Sequence, residues 1–365
     1  MRRFGGLYPQ VVSFHNLVSA GRRAAKGKGH SLEVANFIRN LEPESLALQR
    51  ELQGGEYRPG RYTTFVITDP KVRQITVAPF RDRVLHHAIS GAMKPCFERI
   101  FIQNSFACRK GKGNSRALDR AQSFCRRHGF FLKLDVRSFF HSINHNILMT
   151  LLLRHFKDRR LLSLLEIVIR HPVPNCKPDC GMPIGNLTSQ HLANFYLNTL
   201  DQFILNELKP GSYLRYMDDF VLFDDDKEKL WRFHHQVEAF LWDGLKLELK
   251  EKATLLAPVS QGLPFLGRRV YPNLIRIRRE NLRRSLRRWS RRKCDYGEGK
   301  LDCAALARSE GALFSHLAQA DSLKLRQGIV ANSGGNFGQQ PRSGNNRVLR
   351  GGSWNNNANN CRSAN

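Results

Sequence analysis

Hydrophobic positions along the chain follow two spacings in turn, and each spacing predicts a different element. The stretch 62–68 is β-branched and aromatic, which predicts a strand. Asp69-Pro70-Lys71 reads as a turn, and 73–77 (Arg-Gln-Ile-Thr-Val) as the returning strand of a basic hairpin. From 83 to 102 the apolar residues Val84, Ala88, Met93 and Phe97 fall at helical spacing. The stretch 130–136 is an apolar strand carrying Asp135 at its end. A leucine-rich run over 145–169 predicts a helix, and 187–208 another, with Leu192, Phe195, Tyr196 and Thr199 on one face. Over 213–223 two apolar arms enclose Asp218 and Asp219, the pattern of a β-hairpin. The first 60 or so residues read as helical and polar, punctuated by Pro43, Gly54-Gly55 and Pro59-Gly60, with Ser31 as a helix cap. Strands and helices alternating around acidic strand ends predict an α+β fold.

Past Ile275 the pattern changes. Leu282, Leu286 and Trp289 form one inward stripe, while Arg279, Arg283, Arg287, Arg288 and Arg291 occupy the other faces. A solvated helix needs no such excess of guanidinium, so this helix is expected to lie along a nucleic-acid backbone. From about Asn332 the chain is rich in Asn, Gly and Ser and poor in aliphatic residues, which predicts a tail unable to fold alone.

Charge points the same way. The 365 residues carry 59 Lys+Arg against 31 Asp+Glu, a formal net charge of +28, which favours a polyanionic partner. Hydrophobic residues make up 41%, enough for a sizeable core. No run of about 18 apolar residues suggests a membrane span, and the N-terminus lacks the apolar run of a secretory signal, so a cytoplasmic location is expected. Cys176 and Cys180, with His171 nearby, have the spacing of half a zinc site. No second pair follows at a suitable distance, so they read as loop thiols.

The candidate chemistry lies in three carboxylates. An acidic pair in a hairpin is also what an exposed turn carries. With Asp135 at a strand end, metal binding is the better account of Asp218 and Asp219. Carboxylates suit Mg²⁺, and two such ions can drive an in-line displacement at phosphorus.

Tyr216-Met217-Asp218-Asp219 resembles the Y-x-D-D box of reverse transcriptases, following Leu134-Asp135-Val136-Arg137-Ser138-Phe139-Phe140 in that family's order. Other blocks are similar and in order: Asp69-Pro70-Lys71 with Arg73 and then Pro79-Phe80-Arg81-Asp82-Arg83-Val84, Ser105 through Gly113, Gly181 through Gln190, Leu247 through Lys252, and Phe265-Leu266-Gly267. The resemblance spans roughly residues 60 to 300. It implies a right-hand polymerase fold: N-terminal region and fingers over 1–125, a palm with an antiparallel sheet over 126–268, a short helical thumb over 269–330, and the tail over 331–365.

It also implies roles. Asp135 and Asp218 bridge two Mg²⁺ ions, with the Val136 carbonyl as a further ligand and Asp219 close by. Lys71 and Arg73 clamp the dNTP triphosphate. Phe140 excludes a ribose 2′-hydroxyl, unless it is simply core packing. Lys252 is a candidate proton donor to pyrophosphate. Gln190 and the helix arginines face template RNA and primer or cDNA.

One block departs from the common pattern Gln-Gly-x-x-x-Ser-Pro: here it reads Ile184-Gly185-x-x-x-Ser189-Gln190. This variant resembles the enzymes of diversity-generating retroelements. The isoleucine side chain cannot hydrogen-bond a nucleotide, so base discrimination is expected to weaken by about 1–3 kcal/mol, unless the substitution is a harmless local one. That family implies adenine-directed errors, cDNA that replaces a variable repeat in a target gene, and an oligomeric, basic accessory protein. The tail strings 347–357 and 360–365 resemble the end of a formylglycine-generating-enzyme-type lectin-like domain, which suggests a translated template repeat; a genuine Asn-rich linker is the alternative. Rival readings are a group II intron or retron reverse transcriptase and a non-catalytic RNA-binding protein. An intron protein is expected to continue into further domains, for which little chain remains after 300.

Overall fold

The computed structural model of the chain describes residues 3–29, 31–68 and 73–334. The tail from 335, Lys71 and the 69–72 turn lie outside the described residues, and so does the Arg73 side chain.

Four helices open the chain: α1 (Tyr8–Val12), α2 (Phe14–Ala25), α3 (Leu32–Arg39) and α4 (Leu41–Gly54). They are polar outside only: Val11, Leu17, Ala20 and Leu48 are fully buried. Ser31 occupies the cap position of α3, but its side chain makes no capping hydrogen bond. The hairpin β1 (Thr63–Ile67) and β2 (Arg73–Val77) pairs in register from Thr63–Val77 to Ile67–Arg73. Buried Asp82 pins its lead-in, accepting from the Gly60 amide at 2.7 Å and the Tyr57 hydroxyl at 2.9 Å. Next come α5 (Phe80–Ile100), packed on α2, and α6 (Asn114–Cys125).

The central sheet is antiparallel, in the order β4-β5-β3-β6, built from β3 (Phe130–Asp135), β4 (Ser212–Tyr216), β5 (Asp219–Asp224) and β6 (Leu255–Pro258). Strand alternation divides its side chains between two cores. Leu132, Leu134, Phe220 and Leu222 join the larger cluster, with residues of α5 and of α10 (Leu187–Phe203). Phe131, Val221 and Phe223 join a smaller one with Phe124 of α6. Between β3 and β4 lie also α7 (Phe139–Ser142), α8 (His145–His155) and α9 (Arg159–Ile169).

The run 145–169 is therefore two helices, not one. Asp158 divides it by accepting from the Leu161 amide at 3.3 Å. Its second oxygen accepts from the Leu7 and Tyr8 amides at 3.0 and 2.8 Å, so one carboxylate caps α9 and the distant α1. The stretch read as a helix to Leu208 ends as α10 at Phe203 and continues as a π-helical turn, Ile204–Leu208.

Helix α11 (Lys227–Leu245) covers β3, β5 and β6. A second sheet, β7 (Leu263–Phe265), β8 (Arg268–Val270) and β9 (Ile275–Ile277), spans position 268, so the expected end of the palm falls inside it. Helices α12 (Arg279–Gly297), α13 (Cys303–Ala318) and α14 (Leu323–Gly334) follow. Leu282, Leu286 and Trp289 of α12 pack against Leu313 and Leu317. The architecture is α+β, with an antiparallel central sheet, and no helix among the described residues is long and apolar enough to cross a membrane.

Candidate active site

Asp135 ends β3, Asp219 begins β5, and the two are direct partners in the ladder. Asp218 sits in the two-residue turn joining β4 to β5, and its carbonyl accepts from the Val136 amide at 3.3 Å. Three carboxylates thus converge at one end of the central sheet. Lys133 shares the face of Asp135 by strand alternation and brings its Nζ to 2.7 Å from Asp219 Oδ1. Burial pushes the Asp219 carboxyl up to about 6; Lys133 opposes the shift, and Asp135 and Asp218 add to it.

The chemistry of this donor set, three carboxylates at one sheet end, suits a divalent cation. The sheet holds several negative groups together at a cost in repulsion and desolvation, which a hard cation with oxygen ligands offsets. Asp135, Asp218 and Asp219 would hold it. The block after α11 borders the centre. Leu249 bridges Val136, and the Lys250 amide donates to the Asp135 carbonyl at 2.8 Å. Lys252 is exposed on a short 3-10 turn, Glu251–Ala253, just beyond.

Ile184 and Gly185 lie against the β1–β2 hairpin. The Thr76 amide of β2 donates to the Ile184 carbonyl at 3.3 Å. Gly185 has φ +135°, and a Cβ there would lie 2.9 Å from the Thr76 carbonyl, so only glycine allows this approach. Arg73 begins the same strand. Phe140 is half-buried after β3, in edge contact with buried Phe139, and its carbonyl accepts from the Met182 amide at 2.7 Å. Gln190, on the first turns of α10, accepts from the Cys108 thiol at 3.3 Å, which joins its block to the 105–113 block. Cys176 and Cys180 are free thiols. Arg279, Arg283, Arg287, Arg288 and Arg291 are exposed on α12, away from the carboxylates in sequence and on a different sheet-and-helix unit.

Lys133 was missed by reading the sequence, although its position two before Asp135 on a strand is the signal that puts both on one face. Asp201 and Arg215 were missed as well. Both are fully buried and ion-paired at 2.6 Å behind the Asp218 turn.

Residues 68–270, more than half of the chain, match the family described as reverse transcriptase (RNA-dependent DNA polymerase). Protein YkfC of Escherichia coli (strain K12) is 26% identical over 303 residues, covering 70% of this chain and 80% of that protein. The group II intron-encoded protein LtrA of Lactococcus lactis subsp. cremoris is 24% identical over 325 residues, covering 70% of this chain and only 54% of that protein. A telomerase structure from Candida albicans aligns with a TM-score of 0.46 at 10% identity, covering 65% of this chain and 51% of that one. With the ordered blocks, the paired carboxylates and a family match over most of the folded core, this chain belongs to the reverse transcriptases.

Proposed function

We propose that the chain copies an RNA template into DNA, extending a primer with dNTPs at a centre where Asp135 and Asp218 hold two Mg²⁺ ions, aided by the Val136 carbonyl and Asp219. The observation that carries the reading is the direct pairing of Asp135 with Asp219, beside the Asp218 turn. When bound, the ions would activate a primer 3′-hydroxyl and compensate the charge of the departing pyrophosphate. The protein positions the reactants. Lys71 and Arg73 clamp the triphosphate, Phe140 stands against a ribose 2′-hydroxyl, and Lys252 supplies a proton to the leaving group. Gln190 and the exposed arginines of α12 follow template and primer strands.

The finer reading is an enzyme of a diversity-generating retroelement, working with a basic oligomeric accessory protein and making errors at template adenines. Ile184 supports it, because its backbone carbonyl joins β2 while its side chain can offer no hydrogen bond. A group II intron-type enzyme is the second reading, favoured by the likeness to LtrA.

Primer extension on poly(rA) and on a heteropolymeric RNA tests the activity. DNA synthesis should need Mg²⁺, and Asp218→Asn should abolish it while RNA binding is kept; equal activity in that variant refutes the assignment. Sequencing the products tests the finer reading. Ile184→Gln should lower misincorporation opposite adenine about tenfold, the lower end of what one lost contact costs. An unchanged error spectrum favours the intron-type reading.

A further inference from the structure

Behind the Asp218 turn lies a polar knot with no solvent contact. Arg215 of β4 and Asp201 of α10 are both 0% exposed. Arg215 Nε and Nη2 donate to the two Asp201 oxygens at 2.7 and 2.6 Å. Nη1 donates to Asn194 Oδ1 at 2.9 Å and to the Met217 carbonyl at 3.0 Å, and Nη2 also reaches the Asn194 carbonyl at 3.3 Å. A guanidinium has five N–H donors, and five acceptors surround this one. Asp201 is held in turn by the Tyr213 hydroxyl at 2.7 Å. The Arg215 backbone is tied at both groups: its amide donates to the Asn104 carbonyl at 2.9 Å, and its carbonyl accepts from the Phe106 amide at 3.0 Å.

A buried ion pair that merely joined α10 to β4 would need no bond to the turn. Here the turn is what requires holding. Tyr216 pairs with Asp219, leaving Met217 and Asp218 as the two turn residues. Met217 has φ +58°, at the first turn position, where tight hairpins favour glycine. A methionine there is strained and persists only when its surroundings over-determine it. The carbonyl that Arg215 grips belongs to the peptide whose nitrogen is that of Asp218. Fixing this peptide plane fixes where the Asp218 side chain leaves the backbone.

We infer that Arg215, oriented by Asp201, is a positioning residue of the polymerase: it holds Met217 in its left-handed conformation and so aims Asp218 into the carboxylate centre. The inference rests on Asp218 as an active-site carboxylate, which Asp218→Asn tests separately.

The experiment is a double-mutant cycle on the full chain, read as single-turnover dNTP addition at saturating Mg²⁺. Lysine has three donors and no fork, so Arg215→Lys keeps a cation beside Asp201 but cannot also hold the turn. Its rate should fall about 10- to 100-fold, as for a misplaced reacting group, while primer–template affinity stays within about twofold. In the Met217→Gly background a positive φ needs no enforcement, so Arg215→Lys should cost less than about threefold there. Equal losses in both backgrounds overturn the inference, as does a loss of primer–template binding that parallels the loss of rate. Should Arg215→Lys fail to fold, Asn194→Ala carries the test, since it removes an acceptor of the same Nη1 that grips Met217. Its rate should fall with primer–template binding kept, and fall less in the Met217→Gly background; equal losses in both backgrounds overturn the inference.

Discussion

Lys133 places its ammonium 2.7 Å from Asp219 Oδ1, inside the cluster that Asp135 and Asp219 form across neighbouring strands. Without a divalent ion this cation is the local compensation for a partly buried acid. Lys133→Met should therefore destabilise the metal-free protein by about 1–2 kcal/mol, the cost of leaving a partly buried carboxylate without its partner. Mg²⁺ should recover part of the loss. Urea unfolding with and without Mg²⁺ checks this, and an unchanged midpoint in the metal-free variant would show that the pairing contributes nothing.

Gly185 is where the loop before α10 meets β2. Its φ of +135° and the 2.9 Å separation from the Thr76 carbonyl leave a methyl group no room. Gly185→Ala should cost about 1–3 kcal/mol in backbone strain, or push β2 aside. In the second case the KM for dNTP should rise about tenfold with little change in primer–template affinity, since β2 carries Arg73. Steady-state kinetics and a melting curve on the same preparation distinguish the two costs; no change in either would place the loop elsewhere.

Arg283 and Arg287 lie one turn apart on the exposed side of α12. If both touch phosphates, replacing them with glutamine should reduce the slope of log Kd against log salt by about 1.4–1.8, whatever the nucleic-acid sequence. A titration of primer–template binding across KCl concentrations measures the slope. An unaltered slope would leave α12 a solvated face.

Arg268 is 2% exposed and has no acidic partner among the described residues. It donates to the His316 carbonyl at 2.7 Å and lies 3.1 Å from the ring Nδ1, joining β8 to α13. Burial, with Arg268 adding to it, pushes the imidazole down to about 4. A ring whose folded pKa lies below its free value stabilises the fold above about pH 6.5, and that contribution is lost as pH falls toward 4. His316→Asn should flatten the decline in melting temperature over this window relative to the parent chain. Buried His86 and His191, pushed down to about 3 and 4, pull in the same direction, so the informative quantity is the difference between the two curves. Parallel curves would remove His316 from the acid response.

The hairpin β1–β2, strand β3, the β4–β5 hairpin and the start of α10 were legible because period and turn chemistry act over a few residues. The leucine-rich run 145–169 misled for the opposite reason. Nothing within it is unlike a helix except Asp158, whose second partners are the Leu7 and Tyr8 amides, about 150 residues away. Polar composition likewise hid the core role of the first helices, since Leu17 and Leu48 bury their side chains only when α2, α4 and α5 come together.

At the site, three acidic residues at a strand end and in a hairpin turn were readable from apolar runs that end in acid, and the basic balance pointed to a polyanion before any fold was known. Those properties reside in residue type and short spacing, which the chain carries before it folds. What neutralises Asp219, what holds the Met217 carbonyl, and what joins β8 to α13 were settled by folding alone. Lys133, Arg215 and Arg268 are ordinary strand residues to any periodic pattern. Only burial gives each charge one set of partners, because a desolvated cation must find acceptors among whichever groups the packed elements bring within about 3 Å.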